Sequence, residues 1–270
     1  MKAQVILIMA LFFTTGLKAQ EEEKEKSDTT RISYNGKVIT IYKDSTVKEI
    51  SKEKSDTKKA TSMNHWRGLE FGTNGYFNSK EFDINNDPQN TYMELDYAKS
   101  FVLNLNFAEY NVNLIKNKLL FMTGLGFRFN RYAFKSSQSV LSYNDTMVFN
   151  APDTSLSFDK NYLNVTYLSA PLYLKLMPGK DPEKSFHLSV GAVINYRIGS
   201  RIKQKYVLND QKFKDVTRGH YHLSPFLVDA SVRFGIGSFT AFANYSLNAI
   251  FEKNKGPQYY PFSAGLSLSF

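Results

Sequence analysis

The sequence predicts an all-β fold: an eight-stranded antiparallel up-and-down transmembrane β-barrel over residues 63–270, with a short N-terminal periplasmic extension. Three observations predict it. Long stretches alternate apolar and polar residues with period 2, the pattern of strands with one apolar face. Their connections alternate between tight and long, as in a barrel whose strands cross a bilayer. The alternation then runs on through SAGLSLSF to Phe270, at a position where chains are ordinarily frayed and polar.

The segment before the barrel reads in two parts. Residues 1–19 carry Lys2, an unbroken apolar run over 5–13 and a cleavage site after Ala19. Together these make a secretory signal peptide, with a core too short to span a membrane. Leu17, at the third position before the cut, is larger than the usual alanine and leaves the cut itself open. Residues 20–62 hold mixed-sign charge runs, EEEKEKSDTT and EISKEKSDTKKA, too polar to bury a core. Between them, RISYNGKVITIYKD sets two short alternating runs either side of Asn35-Gly36, the strongest short hairpin signal. This stretch is a small periplasmic hairpin or a disordered tether, and the tether is favoured because an isolated hairpin is marginal in water. The 270 residues contain no cysteine, which excludes a lipid-anchored lipoprotein, a disulfide framework, a zinc–thiolate site and a thiol nucleophile. No later segment approaches the roughly 18–20 continuous apolar residues of a spanning helix.

The strands follow in order. LEFGTNGYF puts Leu69, Phe71 and Thr73 on one face and Glu70, Gly72 and Asn74 on the other. FVLNLNF sets Phe101, Leu103, Leu105 and Phe107 against Asn104 and Asn106. The phase slips near Glu109, where a bulge is expected, and Tyr110, Val112 and Leu114 carry the apolar face on. LFMTGLGFRFN opposes Phe121, Leu125, Phe127 and Phe129 to Gly124, Gly126, Arg128 and Asn130. YLNVTYLSAPLYLKLM runs Leu163, Val165 and Tyr167 on the apolar face, slips at Pro171 and resumes with Leu172, Leu174 and Leu176. FHLSVGAVINYRIGSR opposes Val190, Ile194 and Tyr196 to His187, Ser189, Asn195 and Arg197. SPFLVDASVRFG opposes Phe226, Val232 and Phe234 to Asp229, Ser231 and Arg233. FTAFANYSLNAIF and PFSAGLSLSF complete the eight.

Tight connections fall at 116–118, 178–184 and 235–238, and longer polar ones at roughly 79–96, 135–160, 207–218 and 253–259. Tyr92, Tyr97, Tyr132, Tyr162, Tyr206, Tyr221, Tyr259 and Tyr260 crowd the long-loop ends, where an aromatic girdle sits. A soluble eight-stranded barrel would show the same alternation, so volume decides the orientation. Eight strands enclose a space that side chains just fill. The face dense in Phe, Leu, Val and Tyr would overfill it, whereas the face of Gly, Ser, Asn and a few charges fits. The apolar face therefore points to lipid. In this reading the last strand closes against the first, leaving no edge in hydrocarbon.

HWRGLEFGTNGYFN, YLSAPLYLKL, GAVINYRIGS and the Phe270-terminated last strand resemble the outer membrane β-barrel domain family abundant in Bacteroidota, the porin-family or PorT-like proteins. The stretch DTTRISYNGKVITIYKD resembles the segment preceding many such barrels, and the likeness covers about residues 62–270. The resemblance implies an integral outer-membrane protein. It also implies partners: outer-membrane lipid, the barrel-assembly machinery, for which a strand ending in an aromatic such as Phe270 resembles the signal, and an envelope or secretion component.

Candidate chemistry is sparse. Glu70, Lys175, Asp229 and Arg233 share the polar face at similar depth near the periplasmic end, and are read as a salt-bridged structural plug. Arg128, Arg197 and Arg201 lie higher and, with Arg131, Lys203 and Lys205, are candidates for contact with an anion such as a lipopolysaccharide phosphate. His220 and His222 form a same-face pair without an adjacent carboxylate, short of the ligand count a closed metal site needs. Ser189 with His187, and Ser231 with Asp229, are i, i+2 pairs that a Ser-rich interior supplies by chance, and a catalytic triad is defined by geometry rather than spacing. Gly124, Gly126, Gly235 and Gly237 are strand or turn glycines that make room for large neighbours. The net charge of +9 is spread over loops and interior without a stacking platform, so no nucleic-acid partner is expected. The reading is a non-enzymatic binding, assembly or surface component with no cofactor and no metal. Its rivals are a small porin-like channel and a lipid-modifying outer-membrane enzyme.

Overall fold

The computed structural model describes residues 29–34, 37–42, 65–78, 90–115, 118–152, 156–179 and 185–270. The expected signal peptide and the charged runs at 20–28 and 43–62 lie outside them. The chain divides into two units, Met1–Lys58 and Lys59–Phe270. In the first, β1 (Thr29–Tyr34) pairs antiparallel with β2 (Lys37–Tyr42). Tyr34 lies opposite Lys37, which leaves two residues between the strands, the spacing of an Asn-Gly hairpin.

The second unit is an all-β antiparallel sheet, with no α-helix among the described residues. Its strands are β3 (Gly68–Asn78), β4 (Phe101–Ile115), β5 (Leu119–Ala133), β6 (Leu141–Tyr143), β7 (Val148–Asn150), β8 (Phe158–Leu176), β9 (Phe186–Leu208), β10 (Gln211–Arg218), β11 (Phe226–Ile236), β12 (Phe239–Ser246) and β13 (Tyr259–Ser269). Eight of them form a ring of hydrogen-bond ladders, β3-β4-β5-β8-β9-β11-β12-β13, and β13 pairs back onto β3 over Tyr259–Ser269. Ladder closure removes the unpaired edge that an open sheet would present. The remaining strands are additions at one end: β6 and β7 form a small hairpin, and β10 folds back on the extended end of β9.

Contacts between non-adjacent strands identify the inner face. Arg233 on β11 reaches Glu70 on β3, Arg128 on β5 reaches Asp229 on β11, and Tyr173 on β8 reaches Ser231 on β11. Such pairs meet only across the interior. The opposite face is apolar and open, as at Phe71, Phe107, Leu174, Val190, Phe234 and Leu266, all exposed. The β4 bulge falls at Phe107, between the Asn106 and Ala108 pairings. It keeps Tyr110, Val112 and Leu114 outward and turns Glu109 inward.

Three expectations change. β8 has no slip at Pro171: every odd residue from Leu163 to Met177 is buried, so Leu163, Val165 and Tyr167 face inward. The apolar residues change face because the interior itself becomes apolar towards the long loops. Residues 207–218 are not a plain loop. β9 runs to Leu208 and returns as β10 through Asn209 and Asp210, both at positive φ (50° and 61°), the left-handed pair a tight two-residue hairpin requires. Finally, Tyr132, Tyr221 and Tyr259 are buried among Tyr76, Met93, Leu163, Leu227 and Phe251 rather than placed on an outer girdle. Tyr76 and Tyr259 stack with centroids 4.6 Å apart, and Tyr92 and Tyr97 pack against the same cluster. In the turn before β11, burial and the neighbouring Tyr143 push the Tyr221 phenol up to about 12, and its hydroxyl donates to the Thr217 carbonyl at 2.9 Å.

Candidate functional site

Below that aromatic cluster the interior is polar, and the ring arranges its charges as three ion pairs. Each pair draws its members from different strands, because the period-2 alternation of β3, β4, β5, β8 and β11 aims them all at the same narrow space.

The middle pair is Glu70 with Arg233, at 2.5 Å and with both side chains almost wholly buried. Asn104 Nδ2 donates to the second Glu70 oxygen at 2.6 Å. The guanidinium also lies over the rings of Trp66 (5.0 Å), Phe242 (5.8 Å) and Tyr173 (5.9 Å), a cation–π arrangement strengthened by exclusion of water. Tyr173 in turn bonds Ser231 through its hydroxyl at 2.6 Å. Asp229 is not part of this pair. It lies further toward the long loops, where Arg128 donates to Oδ2, Asn195 Nδ2 donates to the same oxygen at 3.0 Å and Ser246 donates to Oδ1 at 2.5 Å. A recess with room for about one water molecule lies beside this pair, between Arg128, Asp229, Asn244 and Ser263.

Lys175 pairs with Glu109, at 3.3 Å and with both side chains fully buried. Glu109 does more than neutralise it. Its Oε2 accepts from the backbone N–H groups of His65 (2.8 Å), Trp66 (2.6 Å) and Arg67 (3.0 Å), and Asn111 donates to Oε1 at 2.8 Å. One carboxylate thus holds residues 65–67 across the tight-turn end of the ring. There the His65 and His187 rings lie 3.9 Å apart, and His187 Nε2 contacts Thr240 Oγ1 at 2.8 Å. A Cβ on Gly124 would strike the Ala108 carbonyl and then Trp66, and one on Gly235 the Phe239 carbonyl and then the His187 ring, so these two glycines admit both the close strand and the ring they face.

The four residues of the predicted quartet are therefore divided among three separate pairs. The structure brings Glu70 to Arg233, but Lys175 and Asp229 each take a partner from elsewhere. Glu109 was the residue missed. The resumption of alternation after the expected bulge already places it inward, but a residue at the phase slip itself is assigned to neither face. Arg128, a candidate anion contact, is paired with Asp229 in the interior. Arg197 stays half-buried near Ser200, 3.4 Å from its hydroxyl. Arg201 is exposed on the outer face: Thr166 pairs with Gly199 and Tyr167 with Arg197, so the extra residue Ile198 inverts the phase of β9. Phe270 is exposed, and its carbonyl accepts from Arg67 Nε at 3.0 Å.

Ser231, His187, His220 and His222 have other partners. Ser231 bonds Tyr173, and His187 faces His65 and Thr240 rather than Ser189. His220 Nδ1 accepts from the His222 backbone N–H at 3.1 Å, and His222 Nε2 contacts the Asn144 carbonyl at 2.5 Å. Among the described residues no group of three His, Asp or Glu side chains is placed to hold a metal, and no helix is long and apolar enough to cross a membrane. Compared with protein-family models, curated proteins and solved structures, the chain has no match.

Proposed function

We propose that residues 63–270 form an outer-membrane β-barrel with a plugged interior, a non-enzymatic binding or assembly component of the envelope, similar to the PorT-like proteins that the sequence resembles. One observation carries this reading. The ring is inside out, with ion pairs and amides buried within and exposed Phe, Leu, Val and Ile on the outer face of every ring strand. Soluble monomers rarely expose continuous apolar patches beyond a few hundred Å², whereas lipid-facing strands require them. Strands of eight to 23 residues include most of the length of roughly 9–11 residues that crosses a bilayer. The three ion pairs and the aromatic cluster oppose a continuous water path, which favours the plug over the channel.

The test is refolding of the full chain into phosphatidylcholine vesicles. The reading predicts heat-modifiable migration on gels, protection of the ring from protease and no reproducible conductance in planar bilayers. A protein that stays in the aqueous phase would overturn the membrane reading, and steady single-channel currents would overturn the plug.

A further inference from the structure

The outer face changes character abruptly where the apolar belt ends on three neighbouring strands. On β5 Phe129 gives way to Arg131, and on β9 Tyr196 and Ile198 give way to Arg201, Lys203 and Lys205. On β8 the run Leu172, Ala170, Leu168 gives way to Asn164, Tyr162 and Lys160. The registers align these residues. Arg131 lies opposite Asn164, Asn164 opposite Arg201 and Arg201 opposite Arg218, and directly opposed residues share a face. Two residues further on, Tyr162 lies opposite Lys203, and two further still Lys160, Lys205 and Lys214 are in line. The face is the outer one, because the alternating residues Leu163 and Ile202 belong to the buried cluster.

This field of cations has no carboxylate among the described residues within 4.0 Å of its side chains. Asp215 lies on the other face of the β9–β10 hairpin, where it accepts from the Tyr206 hydroxyl. Asp159, the residue inserted by the β8 bulge, is the nearest acid along the strand and is exposed. At the base of the field the Arg131 guanidinium is held between the Phe101 and Tyr162 rings, 4.5 Å from each centroid, and Lys203 lies over Tyr162 at 5.8 Å. Like charges stacked in register destabilise a sheet unless an anion answers them.

We infer that this field, centred on Arg131, Arg201, Lys203 and Arg218, docks the phosphates of anionic lipid headgroups at the long-loop side of the membrane. The inference rests on the membrane reading above. It follows from the height of the field, since a headgroup phosphate lies just beyond the hydrocarbon that the apolar belt would occupy. Basic residues beside an anionic membrane surface each add measurably to binding.

The probe is phosphatidylglycerol against phosphatidylcholine. The detergent-solubilised full chain is mixed with equal amounts of both, and retained lipid is counted by native mass spectrometry. The expected result is preferential retention of phosphatidylglycerol. That preference should fall by about fivefold for each charge removed in Arg201→Gln, Lys203→Gln and Arg218→Gln. A control with Lys99→Gln, Lys135→Gln and Lys255→Gln, equal in charge but elsewhere, should keep it. Equal retention of the two lipids, or equal loss in the control, would overturn the inference. So would full competition by inorganic phosphate, which marks a site for free anions. All variants should still insert into phosphatidylcholine vesicles; failure of the unmodified chain to insert would count against the membrane reading, whereas insertion without headgroup preference counts against this inference alone.

Discussion

Glu70 and Arg233 show why a buried ion pair is a constraint more than a source of stability. Removing water from both charges costs several kcal/mol each, and the 2.5 Å contact repays it only while both partners are present. Glu70→Ala and Arg233→Ala should therefore each lower the unfolding free energy by about 3–5 kcal/mol, measured by urea unfolding of the refolded protein. Replacing both by methionine should cost less than Glu70→Ala alone. Neutral single substitutions would mean that these charges face water. Glu109 allows a second test at this scale, because Trp66 is the only tryptophan in the chain and its backbone N–H is held by that carboxylate. Glu109→Ala should raise acrylamide quenching of Trp66 fluorescence severalfold; unchanged quenching would mean that Lys175 and the surrounding rings hold residues 65–67 without it.

At the scale of elements, the alternation in the sequence located all eight ring strands, since a half-buried strand writes its two faces directly into residue order. It was least reliable where the interior changed polarity. Leu163, Val165 and Tyr167 read as outward because apolar residues were assumed to face one way along the whole strand. The β9–β10 hairpin was hidden for a different reason: KQKYVLNDQKFKD is too polar to resemble strands, and only Asn209-Asp210 marks the turn. The charge partners were legible as inward residues but not as pairs, because pairing depends on height within the ring and on bulges at Phe107 and Ile198. The hairpin stands beyond the ring, with β10 paired to β9 alone. Replacing residues 207–212 by Asn-Gly, which keeps the Tyr206 pairings with Phe158 and Phe213, should leave heat-modifiable migration intact and change stability by no more than about 0.5 kcal/mol. Deleting residues 267–270 should do the reverse, since it removes the pairings of β13 with Glu70, Leu69 and Gly68 and reopens an edge. A deletion variant that still migrates as the folded form would show that closure does not need them.

For the whole molecule, the claim is that its solvent on the outer face is lipid. The absence of cysteine allows single probes to be placed without background. Leu174→Cys, Val190→Cys and Leu266→Cys mark the exposed outer face, and Ser189→Cys and Ser231→Cys the buried interior. Each variant is refolded into phosphatidylcholine vesicles and carries a nitroxide label, whose collisions with oxygen, which partitions into lipid, are compared with those of a water-soluble nickel complex. The account predicts oxygen-dominated collisions at the three outer positions and protection from both reagents at the two inner ones. Nickel-dominated collisions at Leu174, Val190 and Leu266 in the folded protein would contradict it.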